Sequence, residues 1–260
     1  GQRALANNSV AYKGKPEMGT FMREWVSLYE SKSGERGIFN RKAAKEQASK
    51  NGRRDAEQDF GCNPCSEIIL RPYQFCNLSE VVVRASDTQQ TLTDKVRLAT
   101  ILGTFQSTLT DFKYLRKVWK NNTEEERLLG VSLTGIMDNA MMSGKSAHLG
   151  MNIGATLNAL KEQAITTNAA MAEQLGIAQS AAITCVKPSG TVSQLVDSAS
   201  GIHARHNPYY IRTVRGDNKD PLTQFMVSVG IPAEPDVMKP DSTTVFSFPM
   251  KSPHGAVTRF

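Results

Sequence analysis

Residues 62–70 read CNPCSEIIL, and an amide, a thiol and a carboxylate recur there at short spacing. Pro64 stiffens this stretch and removes one backbone donor. In an extended chain, side chains two positions apart point to the same side. We therefore predict that Asn63, Cys65 and Glu67 face one space, where they supply a hydrogen-bonding amide, a sulfur reagent and a proton acceptor.

The cysteines of this stretch allow other interpretations. Cys62 and Cys65 form a C-x-x-C pair, which can be a redox dithiol or half of a zinc site. A zinc site needs a second ligand pair, and Cys76 and Cys185 are not closely spaced, so we predict no metal site. A thioredoxin-type dithiol opens a helix, whereas strand-like residues 67–70 follow this one. Buried, inert cysteines are the remaining alternative.

The composition is that of an ordinary globular protein. Of 260 residues, 40% are hydrophobic and 22% are charged, which excludes collagen, low-complexity chains and disulfide-rich miniproteins. No apolar run approaches the length of a membrane span, and no apolar segment follows the first residues as in a secretory signal. The four cysteines therefore indicate functional thiols in a reducing cytoplasm, and we expect no membrane partner.

The net charge of +6 comes from 31 basic and 25 acidic residues, and part of the excess is local. Residues 41–54 hold six basic side chains and a single acidic one. Such a run can be a nucleic-acid patch, but it is more often the solvated face of a helix. We predict the solvated face and no nucleic-acid partner.

Hydrophobic periodicity predicts an alternation of helices and strands. Helices are predicted over residues 17–32, 40–51, 93–110, 155–175 and 221–229, with short ones around 115–118 and at 192–196. Strands are predicted at residues 67–70, 81–84, 181–186, 209–214 and 243–248. This alternation is typical of an α/β fold with parallel strand pairing. The chain stops soon after the last strand without a closing element, so we expect a truncated or split molecule.

A second candidate site follows the strand predicted at 181–186. The sequence PSGTV at residues 188–192 predicts a tight turn that opens a helix. Gly190 permits close backbone approach, and a helix N-terminus presents free N–H groups to an anion. The hydroxyl groups of Ser189 and Thr191 add donors. The loop is therefore either a phosphate-binding site or an ordinary helix cap.

Six segments of the chain share a pattern with one enzyme family. They are NNSV at 7–10, LYESKSGERGIFNR at 28–41, NPCSEI at 63–68, RPYQFCNLSEV at 71–81, KPSGTV at 187–192 and GIHARHNP at 201–208. Together they closely resemble the active-site region of ribonucleotide reductase large subunits, most of all those of the adenosylcobalamin-dependent class II branch. The segments span nearly the whole chain.

The resemblance implies thiyl-radical reduction of a ribonucleotide to a 2′-deoxyribonucleotide for DNA synthesis. Cys65 matches the cysteine whose thiyl radical abstracts the ribose 3′-hydrogen. Glu67 matches the base that takes the 3′-hydroxyl proton, and Asn63 matches the amide that holds the substrate hydroxyls. The 2′-hydroxyl leaves as water. The phosphate-binding loop of the family is matched by Pro188, Ser189, Gly190, Thr191 and Val192.

The resemblance also assigns a redox role to Cys76, which matches one member of the family's reducing dithiol. Oxidation of that dithiol to a disulfide supplies two electrons. Its family partner comes from an early strand, and no early cysteine of this chain matches it, because Cys62 is the first. Cys62 stands where the family usually has a small residue without a thiol. It is either an opportunistic partner of Cys65 or Cys76 or, as we prefer, a small buried residue.

The family fold is a ten-stranded α/β barrel with the cysteine loop threaded through its middle. The resemblance implies that residues 1–260 supply this loop and much of the second half of the catalytic barrel, without the N-terminal half and the C-terminal tail. The expected partners are a ribonucleoside di- or triphosphate, adenosylcobalamin, the missing segment and a thioredoxin-type reductant, in the cytoplasm of a bacterial or phage-infected cell. Without the missing segment we expect no activity.

Two alternatives accompany this interpretation. The chain could be a non-catalytic nucleotide-binding fragment that keeps the phosphate loop. It could also be a segment of a class I large subunit, whose radical comes from a metal-containing small subunit instead of a bound cobalamin.

Overall fold

The computed structural model describes residues 8–32, 37–50, 52–145 and 152–260. Asn7 and residues 33–36, which carry part of the resemblance, lie outside the described residues, as does the predicted end of the second helix at Asn51. The helices are α1 (Met18–Ser31), α2 (Arg41–Ser49), α3 (Gln89–Gln106), α4 (Lys117–Glu126), α5 (Ile153–Leu175), α6 (Thr191–Leu195) and α7 (Pro221–Ser228). The strands are β1 (Ser9–Tyr12), β2 (Gly37–Asn40), β3 (Gly61–Cys62), β4 (Ile69–Leu70), β5 (Asn77–Val82), β6 (Leu129–Thr134), β7 (Tyr209–Asp217), β8 (Ala233–Pro235) and β9 (Thr243–Lys251).

The described strands form four small sheets, in a mixed α/β arrangement as predicted. β1 pairs with β2 and β5 pairs with β6, both in parallel. The predicted parallel pairing is wrong for the last strands, since β9 lies between β7 and β8 and is antiparallel to both. α7 and β8 lie between β7 and β9 in the chain, and this connection returns the chain in the opposite direction instead of making the crossover that parallel strands require. No sheet among the described residues closes into a barrel.

The central layer is the parallel pair of β5 and β6, backed by two helices. The pair runs in register from Asn77 opposite Leu129 to Val82 opposite Thr134. α3 and α5 cover one face of it, and the buried side chains of this layer are Val81, Val83, Leu92, Val96, Ala99, Val131, Met142, Leu160 and Ala164. Burial of one large aliphatic side chain stabilises a fold by about 1.5–3 kcal/mol. The buried side chains of this layer therefore hold β5 and β6 in place against the two helices.

The opposite face of the same strands carries a mixture of apolar, small and polar residues. Side chains alternate along a strand, so Leu78 and Glu80 point away from the helices that cover Val81. On β6, a Cβ added to Gly130 would clash with Leu78 and would lie 3.1 Å from both Cys185 Sγ and Ile68 Cδ1. The segment after Glu67 therefore packs directly on this face.

The strand predicted at residues 181–186 is present as a single parallel bridge between Thr184 and Val131. Val131 N donates to the carbonyl of Ile183 at 2.8 Å, and Cys185 N donates to the carbonyl of Val131 at 3.0 Å. β6 therefore lies between β5 and this segment. Because the segment runs parallel to β6, the loop that follows it emerges at the same edge as the end of β5.

Helix caps explain why one predicted helix boundary is confirmed and another differs from the structure by four residues. The helix predicted from Thr93 begins four residues earlier, because Thr88 and Thr91 cap each other through both backbone N–H groups, at 2.9 and 3.3 Å. This capping box satisfies donors that would otherwise be unpaired. The predicted end of α5 at Gly176 is confirmed, and Gly176 adopts the left-handed conformation, with φ at 64°.

The basic stretch at residues 41–54 is engaged in ion pairs. Arg41 pairs with Asp59 at 2.8 Å, and Lys45 pairs with Glu57 at 3.1 Å. The guanidinium of Arg54 is buried and makes two hydrogen bonds to the carboxylate of Glu126, at 3.0 and 2.9 Å. Three of the basic side chains therefore have structural partners. In the part of the chain that the structure describes, no helix has the length and apolar character needed to span a membrane.

Candidate functional site

The cysteine stretch forms a hairpin whose tip is a tight turn. β3 and β4 pair antiparallel, with Cys62 opposite Ile69. Between them, Ser66 N donates to the carbonyl of Asn63 at 2.9 Å, and Ser66 has a φ of 64°. The prediction of an extended chain at 63–67 is therefore wrong. Pro64 favours a turn at its second position, because its ring fixes φ near the value that the turn requires.

The turn still brings the predicted groups together, with the help of a residue from elsewhere in the chain. The carboxylate of Glu67 accepts a hydrogen bond from Lys187 Nζ at 2.8 Å. The same Nζ lies 3.9 Å from Cys65 Sγ. Asn63 Oδ1 accepts from the backbone N–H of Ile68 at 3.0 Å, which fixes the amide beside the hairpin. The thiol and the carboxylate thus share one ammonium group.

Burial differs sharply between the two reactive groups. Cys65 is exposed at the tip of the turn, whereas only 1% of the Glu67 side chain is exposed. Burial alone would raise the pKa of Glu67, but hydrogen bonds from Lys187, its own backbone and Asn63 hold that pKa below its ordinary value. The Oε2 atom of Glu67 is buried without a hydrogen-bond partner. The carboxylate is therefore ionised, with one oxygen available to a further donor.

Two more cysteines lie close to this carboxylate. Burial, reinforced by the negative charge of Glu67, raises the pKa of the half-buried Cys76. The same two causes, with Cys76 as the next contributor, raise the pKa of Cys185 to about 12. Both side chains pack against the apolar cluster around Ile68. All four cysteines are free thiols, and Cys62, half-buried, lies 3.5 Å from the Ser66 hydroxyl.

The loop at residues 188–192 lies next to the hairpin and is held by hydrogen bonds. The hydroxyl of Ser189 donates to Glu80 Oε2 at 2.9 Å. Ser193 Oγ donates to the carbonyl of Gly190 at 2.6 Å, and α6 has no side-chain cap at its start. A cavity of about 260 Å³ lies between the loop and the strands β5 and β6, and its lining residues include Leu78, Glu80 and Lys187.

Glu80 gives this cavity an acidic wall. Its Oε1 atom is buried without a hydrogen-bond partner, while its Oε2 atom is used by Ser189. Among the residues that the structure describes, no group of three His, Cys, Asp or Glu side chains is placed to hold a metal ion. Lys187 and Glu80 are functional candidates that the sequence reasoning missed. The sequence does contain a signal for Lys187, since this cationic residue follows an apolar run and directly precedes the phosphate-loop motif.

Comparison with known proteins gives a consistent picture. The chain is 29% identical over 276 residues to an adenosylcobalamin-dependent ribonucleoside-triphosphate reductase of Lacticaseibacillus paracasei, covering 97% of this chain and 36% of that protein. It is 28% identical over 278 residues to the protein of the same name from Levilactobacillus brevis, with the same coverage of each. The resemblance deduced from the motifs is thereby confirmed, and the chain spans about a third of the length of these relatives.

The fold has a counterpart among solved structures. The crystal structure of a B12-dependent, class II ribonucleotide reductase matches 97% of this chain and 38% of that protein, with a TM-score of 0.70 and 24% sequence identity. At this identity the match supports the fold alone. No family model matches the chain.

Proposed function

We propose that the protein that contains this chain reduces ribonucleotides to 2′-deoxyribonucleotides by a thiyl-radical mechanism. The observation that carries the proposal is that the Lys187 ammonium group lies beside both an exposed thiol, that of Cys65, and a buried, ionised carboxylate, that of Glu67. The likeness to reductases over 97% of the chain supports it. The proposal concerns the whole protein, because this chain spans about a third of the relatives' length.

In the proposed reaction, a thiyl radical on Cys65 takes the 3′-hydrogen of the ribose. S–H and ribose C–H bonds are similar in strength, so this exchange is nearly balanced. We assign the 3′-hydroxyl proton to Glu67 Oε2, which is buried and unpartnered and belongs to a carboxylate whose pKa is low enough to keep it ionised at neutral pH. A general base must lie within hydrogen-bond reach of its proton. Asn63 would hold the substrate hydroxyls beside it.

The electrons come from thiols in this proposal. The 2′-hydroxyl leaves as water, a dithiol that includes Cys76 is oxidised to a disulfide, and the two electrons and two protons it releases balance the lost oxygen. An external dithiol or a thioredoxin-type protein then reduces the disulfide. Cys76 is half-buried, and its raised pKa keeps it protonated at neutral pH, as a hydrogen donor must be.

Adenosylcobalamin is the radical source that we propose. When bound, this cofactor supplies a carbon-centred radical through homolysis of its cobalt–carbon bond. The residue of this chain that fits such a group is Cys65, since its thiol is exposed at the tip of the turn and is open to a reactant on the solvent side. Glu67 is shielded from that side, with 1% of its side chain exposed.

The loop at residues 188–192 is the proposed phosphate site. Its support is the resemblance of residues 187–192 to the phosphate loop of the family and the Lys187 ammonium group, which lines the cavity beside the loop. The relatives are named triphosphate reductases, and we propose a ribonucleoside triphosphate for this protein as well. We further propose that residues 1–260 form part of a ten-stranded α/β barrel, which is completed by a segment that matches the remainder of the relatives, in the cytoplasm.

The test is ribonucleotide reduction with a matched pair of cysteine variants. The chain is incubated with CTP or CDP, adenosylcobalamin and dithiothreitol, alone and together with the segment that corresponds to the remainder of the relatives, and the deoxynucleotide is quantified by chromatography. We expect dCTP only in the complete mixture. Cys65→Ala should abolish it, while Cys62→Ala, in the same hairpin, should keep it.

Three outcomes would count against the proposal. Turnover that survives Cys65→Ala would remove the thiyl radical from the mechanism. Turnover that needs a metal-containing partner protein instead of adenosylcobalamin would replace the proposed radical source. Nucleotide binding without turnover in every mixture would indicate a binding module.

A further inference from the structure

Lys187 touches both the hairpin and the cavity beside the phosphate loop. It follows the segment that pairs with β6 and directly precedes Pro188, the first residue of the phosphate loop. Its Nζ lies 2.8 Å from Glu67 Oε1 and 3.9 Å from Cys65 Sγ. It also lines the cavity between the loop and Glu80. One side chain therefore connects the loop to the thiol and to the carboxylate.

The low exposure of the Glu67 side chain strengthens its electrostatic attraction to Lys187. The Glu67 side chain is 1% exposed and that of Lys187 is 29% exposed, so water screens the pair from one side only. An opposite charge at hydrogen-bond distance favours the ionised form of both partners. In agreement, the hydrogen bond to Glu67, which outweighs the effect of burial, raises the pKa of Lys187.

Other titratable groups near Glu67 come from each neighbouring segment. Cys65 belongs to the same hairpin, Cys76 directly precedes β5, and Cys185 precedes Lys187 by two positions. Glu80 of β5 acts on Cys185. Arg54 and Glu67 line one small cavity, but the guanidinium of Arg54 makes two hydrogen bonds to Glu126. In the described part of the chain, Lys187 is the cation that donates to Glu67.

We propose that Lys187 is a positioning residue for the reaction: it holds the Glu67 carboxylate ionised and turned so that Oε2 stays free for the substrate hydroxyl. Oε1 of Glu67 accepts a hydrogen bond from Nζ at 2.8 Å, and Oε2 is buried and unpartnered. The position of the ammonium group therefore determines which carboxylate oxygen is left to accept from the substrate hydroxyl. Without it, a carboxylate with 1% exposure would tend to become protonated, because burial disfavours the charged form. This inference rests on the proposed function.

The first arm of the test needs no turnover. Competitive acetylation of lysines, quantified by mass spectrometry across a pH series, reports how readily each amine loses its proton. In the wild-type chain Lys187 should react several-fold more slowly than Lys219, in the turn between β7 and α7. In Glu67→Gln the reactivity of Lys187 should rise several-fold, while that of Lys219 stays the same. Unchanged labelling of Lys187 would overturn the proposal, whether or not the protein reduces nucleotides.

The second arm uses the complete reductase mixture and the pH dependence of kcat/KM. In Lys187→Met the acidic limb should move to higher pH, because Glu67 then becomes protonated more easily, and activity should recover toward wild type as the pH rises. Lys187→Arg should keep the wild-type profile, since it retains the charge. A merely structural role would lower activity equally at every pH, and that result would overturn the proposal. If the wild-type mixture shows no turnover, the proposed function fails and the labelling arm alone decides on the Lys187–Glu67 pair.

Discussion

At the scale of single residues, the site separates two groups by exposure while keeping them close. The Cys65 thiol is exposed, and the Glu67 carboxylate is withdrawn from solvent, with 1% of its side chain exposed. A thiol that must exchange a hydrogen atom with another molecule needs access. A base that must accept one specific proton gains from a dry environment, where competing hydrogen bonds from water are absent. The tight turn at 63–66 allows both, because it turns successive side chains in different directions.

Glu67→Gln is the most direct test at this scale. A glutamine keeps the shape and a hydrogen bond to the substrate but cannot accept the proton, so we expect kcat to fall by about 10²–10⁴-fold with little change in KM. Steady-state kinetics of CTP reduction measures both. Glu57→Gln is the control, because Glu57 is exposed and pairs with Lys45 outside the site. An equal loss in both variants would argue against a role for Glu67 as base.

The sequence predicted part of this site for a physical reason. Asn63, Cys65 and Glu67 lie within five residues, so almost any local conformation keeps them near each other, and the prediction of their proximity survives even though the predicted extended chain does not. Lys187 lies 120 positions from Glu67, and no local rule relates such residues. The contact depends on β6, which separates the two segments in the chain and pairs with the one that precedes Lys187.

At the scale of elements, Asp87 anchors the start of α3 to the end of β5. Its Oδ2 accepts from Lys95 Nζ at 2.5 Å and from Arg84 N at 2.7 Å, and its Oδ1 accepts from the Thr91 hydroxyl at 2.8 Å. Burial would raise the pKa of Asp87, but these bonds, with that from Lys95 the strongest, hold it below its ordinary value. The carboxylate is thus more stable ionised in the folded state than in the unfolded state.

Asp87→Asn should therefore destabilise the fold in a pH-dependent way. A depressed folded-state pKa stabilises above the unfolded-state value, and this contribution is lost as the pH falls through the folded-state pKa. We expect the free energy of unfolding to fall by about 1–3 kcal/mol at pH 7, with the difference between variant and wild type shrinking in strong acid. Urea unfolding followed by tryptophan fluorescence at pH 7 and at acidic pH measures it. A difference that grew in acid would contradict this account.

Two glycines of the central layer make a matched pair for testing its packing. Alanine at Gly130 would force a methyl group into Leu78 and crowd Cys185 and Ile68, whereas alanine at Gly103 in α3 would meet Ser79 Oγ at 3.4 Å and Leu129 at 3.6 Å, which is ordinary contact. We expect Gly130→Ala to cost about 1–3 kcal/mol. Gly103→Ala should be neutral or stabilise by up to about 1 kcal/mol, because alanine favours helix. Thermal unfolding of both variants tests this contrast, and equal shifts would contradict it.

The elements that periodicity missed are short. β6 alternates apolar with small or polar residues over LGVSLT, but it is only six residues long and begins three residues after α4, so the pattern has few repeats. The short strands β1, β2 and β8, of four, four and three residues, are defined by their partners. In contrast, α5 was predicted well, because a helix of 23 residues repeats its hydrophobic pattern over several turns.

At the scale of the whole molecule, α3 presents an apolar stripe to solvent on the side away from the core. Leu98, Leu102 and Phe105 are spaced for one helix face and are 54%, 67% and 47% exposed. Contiguous apolar surface of this kind favours association. The isolated chain should therefore self-associate as its concentration rises, and sedimentation velocity measures this directly.

Charged substitutions provide the control for that prediction. The double variant Leu98→Lys, Leu102→Lys should remain monomeric at concentrations where the wild-type chain associates. Asn121→Lys with Ser228→Lys adds the same charge at exposed positions of α4 and α7, away from the stripe, and it should associate like the wild type. Equal behaviour of the two double variants would assign the effect to net charge, against our expectation.

The long separation between Glu67 and Lys187 also has a consequence during synthesis. The hairpin of β3 and β4 involves only residues 61–70, so it can form soon after it leaves the ribosome. Lys187 follows Glu67 by 120 residues, which at about 5–20 residues per second delays it by on the order of ten seconds. Throughout that interval the nascent chain carries the thiol without the ammonium group beside it. Translation itself therefore sets the order in which the thiol and the ammonium group come together.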